Sequence, residues 1–209
     1  MRLFIAVLLS STIALHAQSA SDLEAVIATD MGTVRFEFLP DKAPKHVEQF
    51  LKLTKQRYYD DSAFFRILAN GVVQGGDPLL KSAKTPRKLW GTGGLNLLPS
   101  EYSDVQHVRG IVSTVRIPNK PNSDGSQFFV CLSTQASLDG KFSAFGRVTQ
   151  GIEILDKISQ LPADSSQIAV KPVRITSITL DKKKVEPFLE TPVEELNKTV
   201  TVTTTLGTL

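Results

Sequence analysis

The feature that most constrains the fold is a series of about seven or eight short segments, rich in β-branched and aromatic residues and partly alternating apolar with polar. Only two stretches show the spacing of an amphipathic helix. A sheet of many short strands exposes hydrogen-bonding edges unless it closes on itself. The sequence therefore predicts a mainly β domain that closes as a barrel, with two helices that plug or cap it. The strand segments are 25–29, 33–38, 64–68, 72–74, 110–115, 127–130, 142–148 and 173–180, and the helices are 41–56 and 152–161.

The first helix has a recognisable beginning. Asp41 offers a side-chain oxygen for its N-cap, and Pro44 suits its first turn. Val47 and Phe50 then recur at helical spacing. His46 lies among charged residues on this helix, and we expect it to be a solvated surface imidazole.

Composition and cysteine content exclude several classes. A chain of 209 residues with 41% hydrophobic and 22% charged residues buries a sizeable core, so disorder along the whole chain is excluded. Cys131 is the only cysteine, which excludes an internal disulfide and a cysteine zinc site. Because apolar residues flank it, we expect an inert buried thiol, with an intermolecular disulfide as the lesser alternative.

Residues 1–20 have the pattern of a cleavable secretory signal. Arg2 precedes a short apolar run, and small residues follow at its end. The run is too short to span a membrane. We expect cleavage near Ser19 or Ala20, a mature chain that is periplasmic or secreted, and no stable membrane insertion afterwards. A buried N-terminal helix is the alternative.

Net charge gives no support for a nucleic-acid partner. Arg2 is the only charged residue in the expected signal, so its removal lowers the formal net charge from +3 to +2. The remaining Lys and Arg are scattered apart from one triplet of lysines. We therefore expect no nucleic-acid binding.

The C-terminal segment differs in composition from the rest. We expect one domain over residues 24–181 and a tail over 182–209, which carries four glutamates, two prolines and a threonine-rich end. A flexible end and an added edge strand both stay open. A third possibility is a tail that docks a partner in an envelope assembly. Asn197 begins a glycosylation sequon, which matters only in a eukaryotic source.

Arg66 is the candidate for chemistry, because it lies among apolar residues on a predicted strand. A guanidinium keeps its charge, so placing it on an apolar surface requires either a partner carboxylate or a function. Gln74 follows on the return strand, and Gln127 and Phe129 occur on a distant strand. Two strands that each offer a polar group beside apolar residues predict the two walls of one groove. A structural ion pair of Arg66 with an acid such as Glu37 or Asp77 is the alternative.

Other enzyme classes find little support. The sequence contains no serine-hydrolase elbow and no zinc-protease spacing. Asp60 and Asp61 precede a turn, so we expect solvated carboxylates rather than an acid pair. The glycines of 91–94 lack the strand-to-helix context of a phosphate cradle and are interpreted as turn residues. We expect no metal and no cofactor.

Four blocks of sequence together resemble the cyclophilin-type peptidyl-prolyl cis-trans isomerases. They are F-F-R-I-x5-V-Q-G-G-D-P from Phe64, H-V-R-G-I-V-S from His107, P-N-S-D-G-S-Q-F-F-V from Pro121 and L-D-G-K-F-x2-F-G-R-V from Leu138. Their order and spacing match over about residues 24–181, and the likeness is strongest to exported bacterial members. The resemblance implies a closed eight-stranded antiparallel β-barrel capped by two α-helices.

The resemblance also assigns site residues. It implies that Arg66 is the catalytic arginine. The implied substrate-binding residues are Val72, Gln74, Val115, Gln127, Phe129, Leu138 and Phe142. The chain departs from the family at Gly71, where a pocket Phe is usual, at Ser137, where some members carry Trp, and at Phe142, where many carry His. Because the missing Phe leaves a proline ring less enclosed, we expect a raised Michaelis constant.

The resemblance implies a specific reaction and substrate class. The expected enzyme is a monomeric, exported prolyl isomerase that speeds X-Pro rotation in proline-containing polypeptides during folding. Rotation breaks no bond, and a donor aimed at the twisted imide stabilises the transition state, so an arginine in an apolar groove suffices in kind. The alternative is a non-catalytic cyclophilin-like chaperone or adaptor that binds peptides.

Overall fold

A computed structural model of the chain describes residues 19–95, 98–117, 120 and 122–184, and the backbone of 203–204 and 207–208. The expected signal lies outside the described residues except for Ser19 and Ala20, as does most of the tail with its sequon. Thr203–Thr204 and Gly207–Thr208 pair with each other in a separate two-stranded sheet. Within the described part of the chain, no helix has the length and apolar character needed to cross a membrane.

The structure has eight strands in its main sheet, β1 (Leu23–Thr29), β2 (Gly32–Phe38), β3 (Ala63–Leu68), β4 (Val72–Gly75), β5 (Ile111–Thr114), β6 (Phe128–Cys131), β7 (Ala144–Gln150) and β8 (Ile168–Lys182). They form a closed barrel in the order β1-β2-β7-β5-β6-β4-β3-β8, and every neighbouring pair is antiparallel. The predicted closed antiparallel barrel is confirmed. Closure satisfies the strand edges that an open sheet would leave exposed.

Two helices complete the domain, α1 (Pro44–Lys55) and α2 (Ile152–Ser159). Each buries its apolar stripe in the same core that fills the barrel. On α1 the ring of Phe50 stacks on Tyr59 at 4.9 Å and meets Phe128 of β6 edge to face at 5.8 Å. Side chains therefore occupy the barrel interior, and a substrate has to bind on its outside.

The N-terminus of α1 differs from the prediction. The N-cap residue is Ala43 rather than Asp41, and it makes no side-chain cap. The carboxylate of Glu101 instead accepts from the backbone N–H groups of Lys45, at 3.0 Å, and His46, at 3.2 Å. A negative group at this end of a helix is stabilising, and here it comes from a loop 56 residues further along the chain.

Strand β8 is longer than predicted and contacts two neighbours. It pairs with β1 and with β3, and its pairing with β3 shifts register between Phe64 and Arg66. Phe64 lies opposite Val173, whereas Arg66 lies opposite Ile168 at the first residue of the strand. Such bulges redirect side chains and bend strands. This one brings the loop before β8 close to Arg66.

Candidate active site

Strand register places four polar or aromatic residues side by side on the outer face of the barrel sheet. Arg66 of β3 pairs with Gln74 of β4, Gln74 with Phe129 of β6, and Phe129 with Ser113 of β5. Paired residues in a sheet point to the same face. The alternate residues on β4 and β6 belong to the core, so this row faces outward. The predicted groove walls therefore do come together.

A directed chain of hydrogen bonds runs from Arg66 through Gln74 of this row to Gln127, the residue before β6. Nη1 of Arg66 donates to Oε1 of Gln74 at 3.3 Å, and Nε2 of Gln74 donates to Oε1 of Gln127 at 2.9 Å. Nε2 of Gln127 in turn donates to the carbonyl oxygens of Gly91, at 2.9 Å, and Gly93, at 2.6 Å. Each amide thus has a fixed orientation, which a groove needs if it is to recognise a peptide backbone.

The guanidinium of Arg66 is not part of a structural ion pair with either acid considered above. Glu37 binds Nζ of Lys183 at 2.7 Å, and Asp77 binds backbone N–H groups. In the second hydrogen bond of its guanidinium, Nη2 of Arg66 donates to Oε1 of Gln167 at 2.7 Å. Among the described residues its partners are two neutral amides, so its positive charge stays uncompensated by a neighbouring carboxylate.

Aromatic rings form an apolar corner beside this row. Phe129 is 5% exposed, and the ring of Phe142 meets it edge to face at 5.5 Å. His107 lies nearly parallel to Phe129 at a centroid distance of 6.2 Å. The guanidinium of Arg116 lies over the outer side of Phe142 at 5.2 Å, a cation–π distance. The corner is rigid because rings and a buried imidazole support it from several sides.

Residues 91–94, called the glycine loop below, are held to the barrel by Asp77, which is fully buried. One carboxylate oxygen accepts from the N–H groups of Gly91, at 2.5 Å, and Gly93, at 3.5 Å, and the other accepts from Leu79 at 2.9 Å. A Cβ at Gly93 would lie 2.2 Å from Asp77 Oδ1, so only glycine fits there. These glycines are more than turn residues, because their carbonyls also hold Gln127.

The groove on this face has a volume of about 700 Å³. Five predicted site residues line it: Arg66, Gln74, Val115, Gln127 and Phe142. Sequence reasoning missed the other lining residues, which come mostly from loops whose position only tertiary contacts determine. They are Phe65, Trp90, Gly91, Thr92, Arg116, Ile117 and Ile168.

Three further predicted residues lie at or beyond the margin of the groove. Phe129 supports Phe142 from the barrel side. Val72 is half-buried at the start of β4, opposite Cys131. Leu138 ends a short 3₁₀ turn and precedes Asp139, which binds His107. The structure does not place Phe129, Val72 or Leu138 among the residues that line the groove.

Gly71 is one of the three positions at which the chain departs from the family pattern. A Cβ built on it would lie 2.6 Å from the side chain of Leu68, which occupies the adjacent space and is 38% exposed. A larger side chain at this position would have to displace Leu68. The structure therefore shows a leucine beside the position where the resemblance implies a Phe.

The two histidines after the signal segment are both buried, and the prediction of a solvated His46 is wrong. His46 is 2% exposed, with Nδ1 2.6 Å from Glu101 and Nε2 2.9 Å from Asp124. Burial raises the pKa of the Asp124 carboxyl, but its hydrogen bonds with His46 and Ser143 outweigh this and lower the pKa below its usual value. These residues support the loop and helix behind the groove.

His107 joins a second polar cluster under the aromatic corner. Its Nδ1 lies 3.0 Å from Oδ1 of Asp139, and its Nε2 lies 2.9 Å from Oγ of Ser113. The backbone N–H of His107 and then its ring lower the pKa of the Asp139 carboxyl. Ser113 is fully buried, so this Ser-His-Asp arrangement offers no nucleophile to a substrate.

Asp60, Asp61 and Cys131 serve structural roles. Asp60 pairs with Arg57 at 2.7 Å, and Asp61 pairs with Arg174. Cys131 is fully buried, and this burial raises the pKa of its thiol to about 12. None of the three contributes to the groove.

A closed eight-stranded barrel with an arginine, two glutamines and an aromatic corner on its outer face defines a class of enzyme, and comparison with known proteins identifies the same class. Residues 25–180 match the family described as cyclophilin type peptidyl-prolyl cis-trans isomerase. The chain belongs to this family. The prediction that it is an isomerase of the cyclophilin type is confirmed at the level of the family.

Individual relatives cover most of the chain. "Peptidyl-prolyl cis-trans isomerase-like 3" of Gallus gallus is 35% identical over 161 residues, which are 76% of this chain and 96% of the relative. The "Probable peptidyl-prolyl cis-trans isomerase" of Brucella abortus is 34% identical over 176 residues, 80% of this chain and 88% of that protein. A crystal structure of a Cryptosporidium parvum cyclophilin, solved with the dipeptide Ala-Pro, superposes with a TM-score of 0.68 at 28% identity and covers 77% of this chain and 99% of its own.

Proposed function

We propose that the protein catalyses cis-trans rotation about X-Pro bonds of polypeptides, with Arg66 as the catalytic donor. One observation carries this proposal: the Arg66 guanidinium is paired with neutral amides, not a carboxylate, and lines a groove that has an aromatic corner. An uncompensated cation at an apolar surface costs free energy, and a function explains why such a residue is retained there.

The physical requirement of the reaction fits this arrangement. The X-Pro amide rotates slowly because conjugation gives a barrier of ~18 to 20 kcal/mol. The twisted transition state has a basic, pyramidal nitrogen, and a donor placed near it stabilises that state more than the planar ground state. A rate gain of about ten-thousandfold needs ~5.5 kcal/mol. One charged donor in a water-poor groove supplies about 3 to 4 kcal/mol of it.

The remaining groups hold the substrate in place. The proline ring packs in the corner formed by Phe129 and Phe142, with Val115 as a further apolar contact in the groove. Val72 and Leu138 stay predicted contacts, because they lie at or beyond the margin of the groove. Gln74 and Gln127 face the peptide backbone. The Ala-Pro dipeptide in the Cryptosporidium parvum crystal supports the choice of a proline-containing ligand.

The test is an isomerisation assay on the purified chain lacking residues 1–18, followed by exchange NMR on an Ala-Pro peptide. Arg66→Ala is expected to lower kcat/KM about a hundredfold to a thousandfold, which corresponds to the loss of one transition-state donor. Arg66→Lys keeps the charge but loses the planar guanidinium. Its kcat/KM is expected to lie between those of the wild type and Arg66→Ala. Far-ultraviolet circular dichroism checks that each variant is folded. Full activity in folded Arg66→Ala contradicts the proposed role.

A non-catalytic peptide binder is a second candidate, and the site around Gly71 favours it. Leu68 fills space beside Gly71 and leaves no ring there to enclose a proline. Binding of the peptide by the wild-type chain at micromolar concentration without any acceleration of exchange identifies the binder. Acceleration that Arg66→Ala removes identifies the enzyme.

We further propose that the protein works outside the cytoplasm, as a monomer, on exported proteins that are folding. The support is the sequence of residues 1–20, with Arg2, an apolar run and small residues before Ser19. Fractionation of cells that express the full chain tests it. We expect a mature N-terminus near Ser19 or Ala20 in the periplasmic or culture fraction. A chain that keeps Met1 in the cytosolic fraction contradicts it.

A further inference from the structure

We propose that Gln167 is a positioning residue for Arg66, supplied by the loop that precedes β8. The inference rests on the proposed function of Arg66 and names a residue that the sequence did not single out. Its central observation is the 2.7 Å hydrogen bond from Nη2 of Arg66 to Oε1 of Gln167. This contact is shorter than the 3.3 Å contact between Arg66 and Gln74.

The need for a second holder follows from the chemistry of arginine. Its side chain has several rotatable bonds and loses much conformational freedom when it is fixed. Gln74 restrains one terminal nitrogen and Gln167 restrains the other. The guanidinium carries five N–H donors, so donors remain for a substrate after both amides are bound. Both holders are neutral, and the positive charge is therefore kept for the imide.

The backbone of Gln167 is docked on β3 as well. Its carbonyl oxygen accepts from the N–H of Ile67 at 2.7 Å, so Gln167 contacts two consecutive residues of the strand. Its φ angle is +67°, in the left-handed region that non-glycine residues rarely adopt. Strain of this kind persists only where surrounding contacts impose it, and it often occurs at functional sites.

Asp164 imposes that conformation from within the loop. Its carboxylate accepts from the N–H groups of Ser166, at 2.9 Å, and Ile168, at 3.0 Å. The N–H of Gln167 donates to the carbonyl oxygen of Asp164 at 2.9 Å. The turn is therefore closed on both sides of Gln167, which leaves the side chain little freedom to leave Arg66.

Arg87 connects this turn to the other wall of the groove. Its Nη2 donates to Asp164 at 2.9 Å and to the carbonyl oxygen of Ile168 at 2.7 Å. Its guanidinium also lies over the ring of Trp90 at 5.6 Å. Trp90 and Ile168 both line the groove. Arg87 thus joins the loop before β8 to the segment that carries Trp90, while the contacts with Asp164 and Ile67 keep Gln167 beside Arg66.

The test uses three variants at position 167 and one control. Gln167→Met keeps the length of the side chain and removes the oxygen acceptor. Gln167→Gly removes the side chain at a φ angle that glycine tolerates, which protects the fold. Gln167→Glu keeps the acceptor but places a carboxylate against Arg66, so it serves only in the spectroscopic test of the contact. Ser165→Ala is the control, because Ser165 is exposed in the same loop and its side chain makes no hydrogen bond within the described part of the chain.

The kinetic readout separates positioning from stability. In the Met and Gly variants we expect kcat to fall between about tenfold and a hundredfold, because a misplaced donor loses transition-state stabilisation. KM is expected to change less than about threefold, since ground-state contacts to the peptide are retained. Ser165→Ala is expected to match the wild type. An unchanged kcat in folded Gln167→Met, or an equal loss in Ser165→Ala, overturns the proposal.

A spectroscopic readout tests the same contact without activity. Nitrogen-15 NMR of the Arg66 guanidinium is expected to show separate Nη signals in the wild type and in Gln167→Glu, because rotation of the held group is slow. In the Met and Gly variants these signals are expected to merge. Identical spectra in all four proteins overturn the positioning role. If the wild-type chain has no isomerase activity, the proposed function fails while this experiment still decides the contact.

Discussion

Gln74 and Gln127 are joined by a hydrogen bond of 2.9 Å in which Nε2 of Gln74 donates to Oε1 of Gln127. This one bond sets the direction of the polar chain across the groove. It leaves Oε1 of Gln74 to accept from Arg66 and Nε2 of Gln127 to donate to the carbonyls of Gly91 and Gly93. Turning either side-chain amide by 180° would place a donor against a donor on one side and an acceptor against an acceptor on the other.

The first prediction concerns Gln127→Glu. The new side chain has the same shape but loses the donor, and its carboxylate faces the carbonyl oxygens of Gly91 and Gly93. We expect a loss of about 1 to 3 kcal/mol in the free energy of unfolding, the cost of unsatisfied buried polar groups. Urea denaturation measures it, and hydrogen exchange is expected to be faster at Gly91 and Gly93. The exposed Gln106→Glu is the control; equal stability of the two variants contradicts the prediction.

The second prediction concerns Phe142→Ala. Removing the ring opens the aromatic corner beside Phe129 and withdraws the surface under Arg116. Packing against the proline ring is similar in the ground and transition states, so KM is expected to rise about tenfold with little change in kcat. Saturation kinetics with a proline peptide measure both constants. Tyr102→Ala, at an exposed aromatic residue, is the control, and a change confined to kcat would speak against this assignment.

The third prediction concerns Asp77→Asn. The amide keeps one oxygen but turns a donor toward the N–H groups that the carboxylate accepts from, in a site with no solvent exposure. We expect a loss of ~2 to 3 kcal/mol in the free energy of unfolding, as for hydrogen bonds to a buried charge. We also expect a lower kcat/KM, because the loop that holds Gln127 is released. Asp104→Asn at the surface is the matched control, and wild-type values for both quantities would refute the coupling.

The fourth prediction concerns stability at acid pH. The folded protein lowers the pKa of Asp124, so the unfolded chain binds this proton more readily. The resulting stabilisation is present above the carboxyl's ordinary pKa of about 4 and is lost as the pH falls through the folded value. We expect Asp124→Asn to lower the free energy of unfolding at neutral pH. We also expect the free energy of unfolding of this variant to fall less steeply as the pH is lowered. Urea midpoints from pH 7 to pH 3 measure this, with Asp41→Asn as the control; parallel acid limbs would contradict it.

The fifth prediction concerns Cys131. Its thiol pKa of about 12 leaves almost no thiolate at pH 8. We expect no reaction with a disulfide reagent in native buffer and one equivalent in urea, where the pKa returns to about 8.5. Cys131→Ala gives the background in both conditions. Rapid labelling of the native protein would show that the interpretation of an inert buried thiol is wrong.

Much of the architecture could be predicted from the sequence because strand patterns are local. The alternation in β1 and β2, and the short apolar runs of the other strands, indicate a barrel before any contact is known. The cap of α1 could not be predicted, since Glu101 reaches it from a distant loop. The burial of His46 does have a local signal, because His46 shares a helical face with Phe50 and Leu53 and that spacing indicates burial.

The site residues on strands could be predicted from the sequence, and those in loops could not. Arg66, Gln74 and Gln127 lie on or beside strands, so their motifs carry their positions into three dimensions. Gln167 and Trp90 lie in loops, where the partners that fix them are far away in sequence. Asp77 had a usable signal, because an acid directly after a strand and two glycines often binds backbone N–H groups.

Placement of the groove on the outer wall of a filled barrel has a consequence for the proposed polypeptide substrates. A polypeptide can bind in the open groove from the side, so neither of its ends has to pass through a channel. Proline in the middle of a long, partly folded chain is therefore as accessible to Arg66 as proline in a short peptide, provided the segment is extended.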